Sequence, residues 1–339
     1  MSHPSSSNEA VDRIERSVIE NTDQCEHIMA LHFDPRGDYQ RGILRCIVSR
    51  EGQVTTPGFV DTSRVHVVEM RTPSRGHVGP ELDIDDAHDV VAGLPEYEHN
   101  EFLGFEDPNL WCEREAGRLH FYCTIPFFDC HSGELSMYLG HAEGPDIESL
   151  RMTDPVLEPD PGAHRGAKEV AIAPQSEDGV RFNLVESNDI VDGTMYSVLR
   201  AAVAPDLGGP WEYGDIALHP MDYEHEWIAG HVSPGPLLPR EFCDVGPDRL
   251  VGLLNGRDRG GPNGFGRFTV GLMVYNYEEA DIEWVSSEPL IDDPDAAVIT
   301  FASAFRVTGP GEGIVYAHVD DSTVRAYHVD AERMALDFP

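Results

Sequence analysis

Lysine is almost missing from this 339-residue sequence: Lys168 is the only one among 24 basic residues, which face 61 acidic ones. The formal charge of -37 is spread along the chain and not gathered into a tail, so repulsion excludes nucleic acid and anionic membranes as partners. Such a surface repels itself strongly at low salt, whereas molar salt shortens the Debye length to about 3 Å and removes most of that cost. A solvated acidic surface suited to a salty cytoplasm follows. Long apolar runs are lacking too, and the opening residues MSHPSSSNEA hold neither a basic nor an apolar stretch, which predicts a soluble cytoplasmic protein. Close cysteine pairs are absent: Cys25, Cys46, Cys112, Cys123, Cys130 and Cys243 stand at irregular spacings with no C-x-x-C, which argues against a zinc knuckle or a redox dithiol. Reduced, mostly buried thiols are the expectation. His219, His225 and His231 recur every sixth residue, a spacing that suits neither a helical turn nor a usual ligand set. Metal binding there is a minor alternative, and neither a metal nor a cofactor is expected.

Helical periodicity of useful length is scarce as well. The polar stretch 1–24 contains one weak helical pattern, VDRIERSVIE, which predicts a short helix outside the main domain. From residue 25 to 339 short apolar or alternating runs meet turns rich in Gly, Asp or Pro and are followed by a second run, the hairpin pattern of an all-β chain. HIMALHF-DPRGDYQRG-ILRCIVS, LWCE-REAG-RLHFYCTIPF, VAIAP-QSEDG-VRFNLV, FCDV-GPD-RLVGLLN and ITFASAFRV-TGPGEG-IVYAHV are examples. The hairpins near Asp107, Lys168, Glu241 and Thr300 lie roughly 60 to 75 residues apart, room for a four-stranded blade with its loops, and the one near His27 makes five. A single five-bladed β-propeller is predicted, because each hairpin opens with polar residues, as strands lining a central funnel do. A two-sheet sandwich is the structural rival.

Four segments in the family's order, and a fifth between them, resemble glycoside hydrolase family 130, the mannoside phosphorylases and mannosidases. YEHNEFLGFEDPNLWCEREAGRLHFYCTIPF, 97–127, is similar to the family's "YE…G.EDPR"; GAKEVAIAP, 166–174, to "KD…LFP"; EWIAGHVSPGPLLPREFCDVGPDRLVGLLNGRD, 226–258, to "G.G.PP…GWL.iYHG". ITFASAFRVTGPGEGIVYAHVDDSTVRAY resembles the ending "VvF..G…YYG.AD", and YSVLRAAVAPDLGGPWE the "A.S.DL..W" turn. The resemblance implies a five-bladed propeller in which Asp107 is the proton donor, Lys168 binds substrate or phosphate and Asp320 faces the sugar. An acid of this kind must keep its proton near neutral pH, which a neighbouring carboxyl such as Glu106 would assist by repulsion and dehydration. Glu169, Asn109, Asn255 and Arg257 fall on the same motifs and are expected around the sugar.

Departures from the pattern point to hydrolysis. Asn109 replaces the arginine of EDPR, Glu186 the arginine of the family's "HR", and Asn255 the histidine of "YHG". Two amides and a carboxylate in place of cations would hold a phosphate dianion poorly. A hydrolase needs a general base to activate water, and Glu186 and Glu241 are the candidates, on inner strands of neighbouring blades. The expected function is thus an inverting glycosidase acting on β-mannosides or related oligosaccharides, in a chain that could form a homo-oligomer. A phosphorylase using Arg165, Arg240, Arg257 and Lys168, a propeller that binds sugar without turnover, and a relative of the five-bladed fructosidases and arabinanases are the alternatives.

Overall fold

The computed structural model describes residues 11–334 except 15, 21–23, 57, 160–164 and 261–265; the opening decapeptide and part of the predicted helix lie outside them. The all-β expectation is met: among the described residues the one α-helix is Ala87–Ala92. Near-continuous buried runs, as in Arg118–Phe128 and Phe268–Asn276, leave both sheet faces apolar near the centre, and these faces must be covered by other sheets.

Five antiparallel units follow one another along the chain. Their first strands are His27–Phe33, Glu106–Glu113, Lys168–Ala171, His231–Leu237 and Thr300–Gly309, and each pairs with the strand that follows it. These first strands touch in a closed ring, each against the next and the last against the first. Among the described residues the sheets number four, since the third and fourth units join through a single parallel pair, Ser197 with His231.

The core is layered between neighbours in the same cyclic order. Ile43 and Val65 of the first unit pack with Phe121 and Phe127 of the second; Tyr122 and Leu139 with Val170 and Val185 of the third. Leu184 and Leu199 then meet Leu254 and Met273, Val251 and Leu253 meet Ala302 and Val315, and Ile314 and Tyr316 close the circle on Ile28 and Leu44. Each fully buried Leu, Ile or Phe stabilises by about 1.5–3 kcal/mol.

The predicted N-terminal helix is not what forms. Val11–Arg13 is a strand on the outer edge of the last unit, Val11 opposite Val329, and Ile19–Glu20 runs parallel to Arg75–Glu81 in the first. The edge of Thr323–Asp330 has backbone groups to pair, and a β-branched valine that packs into the adjoining apolar layer supplies a better partner than an isolated helix could. A second correction concerns the thiols: Cys25 and Cys46 form a disulfide, while Cys112, Cys123, Cys130 and Cys243 are free. No helix among the described residues is long and apolar enough to cross a membrane.

Candidate active site

Successive residues of a regular strand point to opposite faces, so two neighbours cannot ordinarily share one partner. Glu106 and Asp107 do share one. Arg45 Nη2 donates to Glu106 at 2.5 Å and Nη1 to Asp107 at 2.9 Å. The cause is a β-bulge: the pairing register shifts between Glu106 and Asn109, and Asp107 adopts a left-handed backbone with φ 47. The same device recurs in the flanking units, with Ala30 at φ 48 in a shift between Met29 and His32, and Glu169 at φ 46 in a shift between Lys168 and Val170. A non-glycine residue there costs about 1–2 kcal/mol, and the surrounding sheet must impose it.

Around these bulges every unit contributes an ionisable group. Arg45, on the second strand of the first unit, is buried and also donates from Nε to Ser63 Oγ at 2.8 Å. Burial would lower its pKa, but Glu106, Asp107, Asp61 and Asp321 together raise it. Burial pushes the Glu106 carboxyl up to about 7, with Asp107 adding to the rise and Arg45 opposing it. Burial and then Asp107 likewise raise Glu169 well above the carboxylate range, against the pull of Lys168. Lys168 is raised too: dehydration would lower it, but Glu186, Asp107 and Glu169 outweigh that.

Glu186 stands directly across the ladder from Lys168, on a second strand and not on the inner strand that the sequence suggested. Its Oε1 lies 3.2 Å from Lys168 Nζ and 3.2 Å from His231 Nε2, while its buried Oε2 has no hydrogen-bond partner. Despite its burial, the neighbouring His231 and Lys168 hold this carboxyl well below the ordinary range, so it is ionised. His231 is itself lowered by burial, although Glu186 opposes the shift. Arg257, lowered by burial, sits 5.4 Å from the Phe268 ring centre within the field of Glu186.

The last unit contributes Asp321, 3.2 Å from His318 Nε2; burial opposes its ionisation, but His318, Arg45 and Arg50 hold it low. The neighbouring Asp320, expected on the sugar, is occupied elsewhere: its carboxylate accepts the backbone N–H groups of Ala297, Val298 and Ile299 and ties a loop. Asn255 is equally committed, since its amide donates to Ala302 O at 3.0 Å and accepts from Ala302 N at 2.7 Å, stitching the fourth unit to the fifth. Asn109 donates to Val170 O at 2.8 Å and joins the second unit to the third.

Glu241 does not join the cluster. The fourth unit begins at His231, so Glu241 falls in the loop after Leu237, exposed, beside a cavity of about 280 Å³ at the far ends of the inner strands. Asn109 and Arg114 also line that cavity. Arg240, a candidate phosphate ligand, is exposed in the same loop and donates to the Tyr277 hydroxyl at 3.2 Å. His219 accepts from Met221 N and His231 faces Glu186, so these two histidines serve different neighbours. The groups missed by sequence reasoning are Arg45, His231 and Asp321. Arg45 alone had a signal, a cation inside the apolar run ILRCIV.

No family model and no curated protein matches the chain. Solved structures do. A β-1,2-mannobiose phosphorylase from Listeria innocua, solved with β-1,2-mannobiose, superposes over 98% of this chain and 94% of its own with TM-score 0.62 at 11% identity. MPT-4, a mannose phosphorylase from Leishmania mexicana in complex with phosphate ion, covers 94% and 89% with TM-score 0.54 at 13% identity. A thermostable family-43 glycoside hydrolase covers 89% and 88% with TM-score 0.52 at 12% identity. The chain therefore shares its overall fold with these structures.

Proposed function

We propose that the chain is a five-bladed propeller that hydrolyses glycosides, β-mannosides or related oligosaccharides foremost, with inversion at the anomeric carbon. The blade count rests on the closed ring of five first strands and the five apolar layers between their units. The observation that carries the chemistry is a pair of carboxyl environments driven apart within one cluster: Glu106 is pushed up to about 7 and Glu186 is held ionised. Two titratable groups so separated can divide acid and base between them.

The Glu106–Asp107 pair, clamped by Arg45, carries the acid. Its single proton passes to the glycosidic oxygen, directly or through a hydroxyl of the sugar, as that bond breaks. Glu186 is the base that takes a proton from the attacking water on the opposite face of the ring, and its unpartnered Oε2 is the acceptor. Lys168 pairs with Glu186 and feels Asp107 as well, so one ammonium spans both roles. Glu169, protonated beside them, can donate to a sugar hydroxyl. Hydrolysis is favoured over phosphorolysis because Arg45 and Lys168 are already engaged by carboxylates, which would repel a phosphate dianion.

The test is a panel of β-manno-oligosaccharides and aryl β-glycosides in molar KCl, with and without phosphate, with products separated by chromatography. Release of free sugar regardless of phosphate, abolished in Glu186→Gln and Asp107→Asn, is expected. A sugar 1-phosphate formed only with phosphate present would replace hydrolysis by phosphorolysis, and sugar binding without turnover would make the propeller a binding module.

A further inference from the structure

Away from this cluster, two histidines and a glutamate meet on one face of the second unit. His120 lies on strand Arg118–Phe128 directly opposite Glu143 of Leu135–Gly144, and His141 precedes Glu143 by two residues, so the period of a strand puts all three on the same side. The two imidazoles are almost wholly buried, and His120 Nδ1 faces His141 Nε2 at 3.0 Å. The nearest Glu143 oxygen is 4.0 Å from His120 Nδ1, and these ligand atoms of the three residues lie within 4.8 Å of one another.

The outer nitrogens decide the tautomers. His141 Nδ1 lies 2.8 Å from Thr153 Oγ1, and where the threonine hydroxyl donates to one of its carbonyl neighbours at 3.0 and 3.2 Å, Nδ1–H is the donor and His141 Nε2 keeps its lone pair. His120 Nε2 faces the Glu113 carboxylate at 3.6 Å, a neighbour that favours N–H at that position and leaves His120 Nδ1 bare. Two lone pairs then point at each other across 3.0 Å. In the other tautomer His120 Nδ1–H bonds to His141, but the bare Nε2 is buried against a carboxylate without a donor. Both of these tautomers leave one buried nitrogen unsatisfied, and the third, with His141 Nε2–H bonded to His120, makes Thr153 turn its hydroxyl from both carbonyls to His141 Nδ1; a shared cation satisfies the two rings without that turn.

We propose that His120 Nδ1, His141 Nε2 and Glu143 form a binding site for a borderline divalent transition metal such as Zn²⁺ or Co²⁺, oriented by Glu113 and Thr153. Tetrahedral bonds of about 2.0–2.1 Å place two ligand atoms roughly 3.3 Å apart, so the imidazoles need separate by only a few tenths of an ångström. Two imidazoles favour these ions over Ca²⁺ or Mg²⁺. Hydrogen bonds from the outer nitrogens to a carboxylate and a hydroxyl are the supports that metal-binding histidines use. Arg118 holds Glu143 through both oxygens at 2.9 and 2.8 Å, so the carboxylate must exchange part of that contact for the ion. Glu113 and Glu143 are partly exposed and give the ion its way in.

The test titrates the whole oxidised protein with Co²⁺, following visible absorption, and with Zn²⁺ by calorimetry. One equivalent should bind with a nitrogen and oxygen ligand spectrum lacking any sulfur charge-transfer band, His141→Gln should abolish it, and Thr153→Val and Glu113→Gln should weaken it by about 10–100-fold. Thr153→Val nearly preserves side-chain shape, so it reads the site even if His141→Gln fails to fold. The proposal is overturned if the native protein binds no ion, if binding survives both Thr153→Val and Glu113→Gln unchanged, or if the cobalt spectrum carries a thiolate band, which would move the site to a free cysteine.

Discussion

Replacing Arg45 by methionine removes the guanidinium that Glu106 and Asp107 share while keeping most of the apolar stem. Arg45 and Asp107 side chains are 8% and 6% exposed, so water cannot take over the lost contacts. Breaking one partner out of a buried ion pair costs about 3–5 kcal/mol, mainly through the charge left behind. That cost depends on pH, and its sign follows from Glu106. Its folded pKa, about 7, lies above its ordinary 4.5, so its contribution to stability is complete below about pH 4.5 and is lost as pH rises through 7. Without Arg45 the cation that opposes the rise of Glu106 is gone and the buried charge of the pair is uncompensated, so the loss deepens at high pH. In urea unfolding at fixed molar KCl, Arg45→Met should be less stable than the native protein by about 3–5 kcal/mol near pH 8 and by only about 1 kcal/mol near pH 5, where protons replace the cation. Equal losses at both pH values would refute the reasoning, because the effect would then be packing and not charge.

The hydrolytic rate should fall as pH rises through about 7, the point at which Glu106 gives up the proton that the acid pair must donate, and a rate that kept rising to pH 9 would remove the pair from that role. Asn255→Ala should cost about 2–4 kcal/mol of stability by leaving both Ala302 backbone groups unpaired, with kcat and KM unchanged; a raised KM would return Asn255 to the sugar. Lys168, raised above its ordinary value by its carboxylate neighbours, should react with amine reagents far more slowly than a free lysine at pH 9, and Glu186→Gln should speed that labelling, as read by mass spectrometry.

The repeated hairpins were legible because turn residues and alternating apolar runs carry a local signal, and Glu106, Asp107, Lys168 and Glu169 could be found at hairpin starts. The fourth unit was misplaced because its inner strand, HVSPGPL, carries Pro234 and Pro236, which lack the N–H groups of a regular strand and break its pattern. It is a strand nonetheless, since its pairing with Arg249–Arg257 shifts register between Pro234 and Leu237. That slip moved the unit's start from His231 to Glu241 and hid the histidine facing Glu186. Asp320 and Asp321 are adjacent aspartates, both with positive φ, and only the fold decides which carboxylate caps a loop and which meets His318. Arg45 was hidden for the opposite reason: a buried cation is explained by its partners, and those lie 61 and 62 residues further along the chain.

The strand Val11–Arg13 has a consequence for how the molecule is made. It completes the unit formed by the end of the chain, and Arg13 fastens it to Asp293 at 2.8 Å and Asp295 at 2.7 Å. A nascent polypeptide emerging from the ribosome therefore keeps an unmatched leading segment until Thr323–Asp330 has been translated. Joining Val11–Arg13 to Thr323–Asp330 is a contact between segments about 300 residues apart in sequence, so it forms slowly compared with the hairpins inside each unit.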